Sequence, residues 1–196
     1  MYLIAYVGTA ILVTLFVMGV AAKLAKEKGK NPVKWAGLSF AALFVLAAWD
    51  YYPTRWAHQY YCEKEAGFWV YKTLERWKAE NPGVMETLTT QRNPPHTFEG
   101  DEDNLISTTF WNSRFKSTYK YQGPILLYLW RREDELIDIK NNEVLARYVD
   151  FSSSQIRVQA GNPGWKFWLH NEHCPGGQDK AIKYGNFYLQ FKGGEK

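Results

Sequence analysis

The sequence predicts an α+β protein: an N-terminal hairpin of two transmembrane helices, then a mainly antiparallel β domain with one or two short helices. Three observations carry that expectation. Residues 1 to 22 and residues 35 to 49 contain no charged side chain. A lysine-rich stretch separates these two apolar runs. From about residue 106 the chain turns to short segments of β-branched and aromatic residues separated by turn formers. The expected division is residues 1–49 for the hairpin and 50–196 for the domain.

The first run, MYLIAYVGTAILVTLFVMGVAA, has 22 residues. At helical rise it reaches about 33 Å, enough to cross a hydrocarbon core of about 30 Å. A cleaved signal peptide would carry a basic segment ahead of a shorter apolar core. No Lys or Arg precedes this run, so the expectation is a retained helix over about residues 2–22. The second run, NPVKWAGLSFAALFVLAAWDYYP, reads as a helix over about residues 32–52. Asn31 suits the N-cap, Pro32 suits the first helical position, and Pro53 suits a stop. Trp35 stands at one end, with Trp49, Tyr51 and Tyr52 at the other, as an aromatic belt requires. Neither uncharged run offers the ionisable residues a transporter or proton relay needs.

Charge sets the expected orientation. The chain has 24 basic and 20 acidic side chains; residues 1–49 hold 5 and 1 of these, leaving 19 and 19 beyond. The whole net charge of +4 therefore lies in the hairpin, on Lys23, Lys26, Lys28, Lys30 and Lys34 against Glu27. Short lysine-rich loops stay cytoplasmic. The expectation is a two-pass protein of a bacterial inner membrane, its loop over about residues 23–31 inside and both termini in the periplasm. A neutral domain lacks the basic footprint of nucleic-acid binding.

The domain opens on WDYYPTRWAHQYY, which supplies Trp49, Tyr51, Tyr52, Trp56, Tyr60 and Tyr61. These form either a collar at the lipid headgroups or a docking surface for a partner. GFWVYKT reads as a strand, after which Thr73 caps a short helix, LERWKAEN, ended by Asn81-Pro82. PGVMETL suits one more helical turn. RNPPHTFEGDEDN reads as a loop, and its Asp101-Glu102-Asp103 cluster lacks the ligand spacing of a calcium loop. Expected strands are STTFWN, FKSTYKY, ILLYLWRRE, ELIDI, EVLARYVDF, QIRVQA, KFWLH and NFYLQF. The clearest hairpin is ELIDIKNNEVLARYV, with Lys140-Asn141-Asn142 at its turn. In EVLARYVDF, Val144, Ala146, Tyr148 and Asp150 face one way and Leu145, Arg147, Val149 and Phe151 the other, an imperfect alternation.

Both cysteines, Cys62 and Cys174, lie in the proposed external domain. An oxidising compartment makes a disulfide the first expectation. The competing reading is a zinc or copper site built from His58, Cys62, His170, His173 and Cys174, with His58 and Cys62 four residues apart on one helix face. No nucleophile elbow, phosphate loop, zinc-protease motif or dinucleotide fingerprint is present, so a non-enzymatic protein is expected. The leading expectation is a membrane-anchored interaction protein acting on another membrane or envelope protein. It would serve as an accessory or assembly subunit, or as an inhibitor of immunity or exclusion type. The alternatives are a periplasmic metal-binding protein or metalloenzyme, and a ligand-binding sensor, for which the short cytoplasmic loop offers no output module.

Overall fold

The computed structural model describes residues 2–90, 92–101, 103–155, 166, 169–171 and 173–195. They form two compact units, residues 1–53 and 54–196.

The first unit is helical. Helix α1 spans Tyr2–Glu27 and α2 spans Pro32–Ala48, and the two pack on each other. α1 thus continues through Lys23 and Lys26, past the expected end at residue 22. Long lysine stems are good helix formers, and nothing in VAAKLAKE breaks the backbone pattern. Asn31 caps α2 as its sequence suggests: its side-chain oxygen accepts from the Val33 and Lys34 amides at 3.0 and 3.2 Å. Lys30 Nζ lies 5.0 Å from the Trp35 ring centroid. By length and composition, two helical stretches, Val7–Glu27 and Pro32–Lys64, are long and apolar enough to cross a membrane. Their large side chains point outward: Leu12, Phe16, Phe44 and Leu46 are 68, 71, 63 and 71 % exposed.

Pro53 is not a stop. After a turn at Trp49–Asp50 the chain re-enters a helix, α3 (Tyr51–Lys64), with Pro53 in its first turn. The first backbone amides of a helix have no partner within it, so a proline there removes no bond.

The second unit is a six-stranded antiparallel sheet in the order β1-β7-β6-β5-β4-β3. Its strands are β1 (Gly67–Val70), β3 (His96–Gly100), β4 (Asn104–Phe110), β5 (Phe115–Leu126), β6 (Leu129–Asp138) and β7 (Glu143–Ser153). A parallel pair, β2 (Thr89–Thr90) with β8 (Gly194–Glu195), stands apart. Among the described residues three helices accompany the sheets, more than the one or two expected: α3, α4 (Leu74–Glu80) and α5 (Gly177–Leu189). Thr73 caps α4 through the Arg76 amide, and Met85–Thr87 forms the further short turn anticipated in PGVMETL.

Several strand expectations are corrected. NFYLQF is not a strand; it lies at the end of α5, where Phe187 and Phe191 pack inward. Aromatic residues at positions 184, 187, 188 and 191 repeat at helical spacing, and that period overrides their β propensity. RNPPHTFEGDEDN is not all loop, because it contains β3, which pairs with β4. ILLYLWRRE is not one strand. β5 ends at Leu126, the chain turns with Leu127 at φ 52°, and β6 runs unbroken from Leu129 into ELID. QIRVQA beyond Gln155, and Phe167 and Trp168 of KFWLH, lie outside the described residues.

The β6–β7 hairpin forms as the sequence suggests, with Asn142 at φ 51°. The imperfect alternation of β7 has a cause. Leu136 pairs with Ala146 but Ile137 pairs with Val144, so Leu145 is an extra residue in a bulge. Leu145 joins Trp77, Leu88, Phe115, Leu136 and Phe191 in the largest core cluster. At this end Asp138 is fully buried. It accepts from Arg114 Nε at 2.6 Å, Arg114 Nη2 at 2.9 Å, Trp77 Nε1 at 2.8 Å and the Lys140 amide at 3.0 Å.

Candidate functional site

α3 carries apolar or small residues at the spacing that buries one helix face. Thr54, Ala57 and His58 are buried, and Tyr61 and Cys62 follow on the same side. Tyr61 packs on Phe151 of β7 with ring centroids 5.4 Å apart. Tyr61, Cys62 and Ala66 together cover the cluster Leu129, Val149, Phe151 and Cys174.

β1 pairs with β7 only as far as Val149. Past that point the edge of β7 is taken by the segment leading into α5. Ser153 and Asn171 exchange backbone hydrogen bonds at 2.8 and 2.9 Å. This places Cys174 against Cys62, and the two form a disulfide with Cα atoms 5.4 Å apart.

The disulfide sits in a polar frame. His58 Nε2 lies 3.1 Å from the Phe151 carbonyl, which only accepts, so that nitrogen carries the proton and donates. Cys62 Sγ lies 3.6 Å from Nε2 and 3.8 Å from Nδ1 of the same ring. Burial pushes the His58 imidazole below its ordinary value, against the opposing pull of the Phe151 carbonyl and of Asp150. On the other side of Cys174, Asp150 is a buried carboxylate with a full set of donors. These are the Tyr148 hydroxyl at 2.9 Å, His173 Nδ1 at 2.7 Å, and the Phe151 and Cys174 amides at 3.0 Å each. Gly177 fits here for want of a side chain: a Cβ would stand 2.9 Å from Asp150 Oδ1.

The five residues of the sequence-derived His/Cys set therefore divide. His58, Cys62 and Cys174 come together, their ligand atoms all within 4.8 Å of one another. His173 is turned to Asp150 through Nδ1, and His170 is half-buried in the segment before Asn171 with contacts of its own. With the sulfurs bonded to each other, no thiolate is available to a metal in this state.

The aromatic set divides as well. In the first unit Trp49 and Tyr52 are exposed, and Tyr51 lies edge-on to Tyr52. In the second unit Trp56 and Tyr60 stack at 5.7 Å on the outward face of α3, 68 and 46 % exposed, while Tyr61 faces the core.

A second polar cluster lies on β5–β7. Arg132 donates to Asp134 Oδ2 at 2.7 Å, and its guanidinium lies over the Tyr119 and Tyr148 rings. Burial raises the Asp134 carboxyl despite Arg132, and burial also raises the hydroxyls of Tyr148 and Tyr184. Asp150, Asp134 and Tyr148 did not stand out in the sequence as site residues. The available signal was an acid within an apolar or aromatic strand, as in YVDF, which demands buried partners.

Comparison with known proteins finds no matching family model, no similar curated protein and no similar solved structure.

Proposed function

We propose that this chain is a two-pass protein of a bacterial inner membrane that holds a disulfide-tied domain in the periplasm to bind another envelope protein. α1 and α2 would span the bilayer, with Lys23, Lys26, Lys28 and Lys30 on the cytoplasmic side. The observation that carries the reading is the Cys62–Cys174 bond, in a domain joined to two exposed apolar helices. Disulfides persist in oxidising compartments, and the lysine-rich turn assigns the opposite side to the cytoplasm.

The contact surface we assign is the outward face of α3 carrying Trp56 and Tyr60. Both rings are large, rigid and half polar, the type enriched at binding hot spots. Tyr61 and Cys62 anchor the helix from behind, so the surface is held in place before binding. An accessory subunit and an inhibitor of immunity or exclusion type would both use such a face.

The test is a photo-reactive amino acid placed at position 56 or 60 and activated in native membranes. One stoichiometric protein adduct, lost when the other aromatic is replaced by Ser, is the expected result. Adducts to lipid alone, or no adduct at either position, would overturn the proposal.

A further inference from the structure

The corner where α3 meets β7 has a property that its oxidised form conceals. His58 and Cys62 are four residues apart on α3, and Cys174 arrives from the segment before α5. Tetrahedral zinc with bonds of about 2.0 Å to nitrogen and 2.3 Å to sulfur sets adjacent ligand atoms about 3.5 to 3.8 Å apart. Cys62 Sγ already stands 3.8 Å from His58 Nδ1, and one ligand atom from each of His58, Cys62 and Cys174 lies within 4.8 Å of the others.

The His58 ring is also prepared in the way a metal ligand requires. Its Nε2–H donates to the Phe151 carbonyl, which leaves Nδ1 with the free lone pair. A ring nitrogen held by a backbone carbonyl while the other binds metal is the usual outer-shell support. Both sulfur-bearing segments are held without the bridge. α3 is packed through Ala57 and Tyr61, and the chain just beyond it through Ala66. Cys174 is fixed by its amide on Asp150 Oδ1 at 3.0 Å and by its carbonyl, which accepts from the Gly177 amide at 2.8 Å.

We infer that the Cys62–Cys174 disulfide masks a zinc site, and that two-electron reduction by a dithiol exposes His58 Nδ1, Cys62 Sγ and Cys174 Sγ as its three protein ligands. The dithiol gives up two electrons and two protons and closes to its own disulfide, leaving two cysteine thiols. Zinc then displaces both thiol protons to solvent and forms two thiolate bonds and one imidazole bond, with water in the fourth position. The two thiolates neutralise the ion, which a partly buried site demands. The inference goes beyond the interaction reading and does not depend on it.

The test uses the full chain in mild detergent, reduced with dithiothreitol, desalted without oxygen and titrated with cobalt(II) as the spectroscopic substitute for zinc. The reduced chain is expected to bind one equivalent, with thiolate-to-cobalt charge transfer and the visible bands of tetrahedral cobalt. Zinc should abolish both. The oxidised chain should show neither, and His58→Ala should weaken binding by at least about tenfold, the scale on which even outer-shell losses act. Absence of these bands in the reduced chain would overturn the inference, as would His58→Ala binding as tightly as the parent. Near-UV circular dichroism covers the case in which reduction loosens the fold. Recovery of the native spectrum on adding zinc supports the site; a reduced chain that zinc fails to refold contradicts it.

Discussion

The hairpin and the domain place their large apolar side chains in opposite directions. In the first unit Leu12, Phe16, Phe44 and Leu46 point outward, and no residue of α2 is buried. In the second unit Trp77, Phe115, Tyr148 and Phe151 are at most 1 % exposed. The charges divide too: the hairpin carries the whole net +4, while the domain balances its charges and pairs many of them internally. Arg131 and Arg147 flank Glu133 at 2.9 and 2.8 Å, and Lys72 bridges Glu80 and Glu143 at 2.7 Å each. The difference teaches that the two regions are suited to different solvents. Apolar area hidden within the protein stabilises the domain in water, and apolar area left outside would stabilise the hairpin only in an apolar surround such as lipid.

That contrast can be broken at either end. The largest effect is expected at Asp138. Its removal leaves the Arg114 guanidinium with Asn81 alone and the Trp77 indole N–H without its acceptor. Asp138→Ala should cost about 3 to 5 kcal/mol of domain stability, the cost of breaking a buried pair, by denaturant titration in detergent. It should leave membrane integration unchanged. The reciprocal change is Leu12→Lys, which should cost about 2.5 to 3.5 kcal/mol in an insertion assay if residue 12 lies near the bilayer centre. The denaturation midpoint of the domain should not move. Equal effects of either substitution on both readouts would erase the distinction between the regions.

Acidification sharpens the comparison. Burial disfavours the charged His58 ring in the folded state, so the unfolded chain binds the proton more readily. The stability this reflects is present above an ordinary imidazole value of about 6.5 and is lost as pH falls below it. Asp138 acts in a lower window. Burial alone would raise its carboxyl, but Arg114, Trp77 and the Lys140 amide outweigh burial and hold it below the usual range. Its contribution is present above an ordinary carboxylate value of about 3.9 and is lost as pH falls toward the depressed folded value. A stability profile should therefore fall in two stages, and His58→Gln should remove the first. The smallest effect is expected at the α4 cap, where Thr73→Ala should cost about 0.5 to 1 kcal/mol.

The legible parts of the sequence were those with a local cause. Asn31 and Thr73 cap as their positions suggest, Asn142 takes the left-handed conformation that a turn requires, and His58 and Cys62 share a helix face because four residues make one turn. The corrections arose where a local signal was shared by two structures. The aromatic run NFYLQF suits a strand by composition and a helix by spacing, and packing on Phe68 and Phe115 decided for the helix. Pro53 reads as a stop in isolation and is harmless in a first turn. The Cys62–Cys174 pairing was expected from the compartment, whereas the grouping of Asp150 with Tyr148 and His173 was not. That group depends on where the edge of β7 is left open by β1, a property of sheet order that no stretch of sequence displays.

We propose above that residues 54–196 lie outside the cytoplasm behind a membrane-spanning hairpin. A single experiment in intact cells addresses it most directly: a compartment-sensitive reporter fused after Lys196, with thiol labelling before and after reduction. The expected result is a reporter active only outside the cytoplasm, and Cys62 and Cys174 that label only after reduction. A reporter active in the cytoplasm, with both thiols labelled from the start, would contradict it.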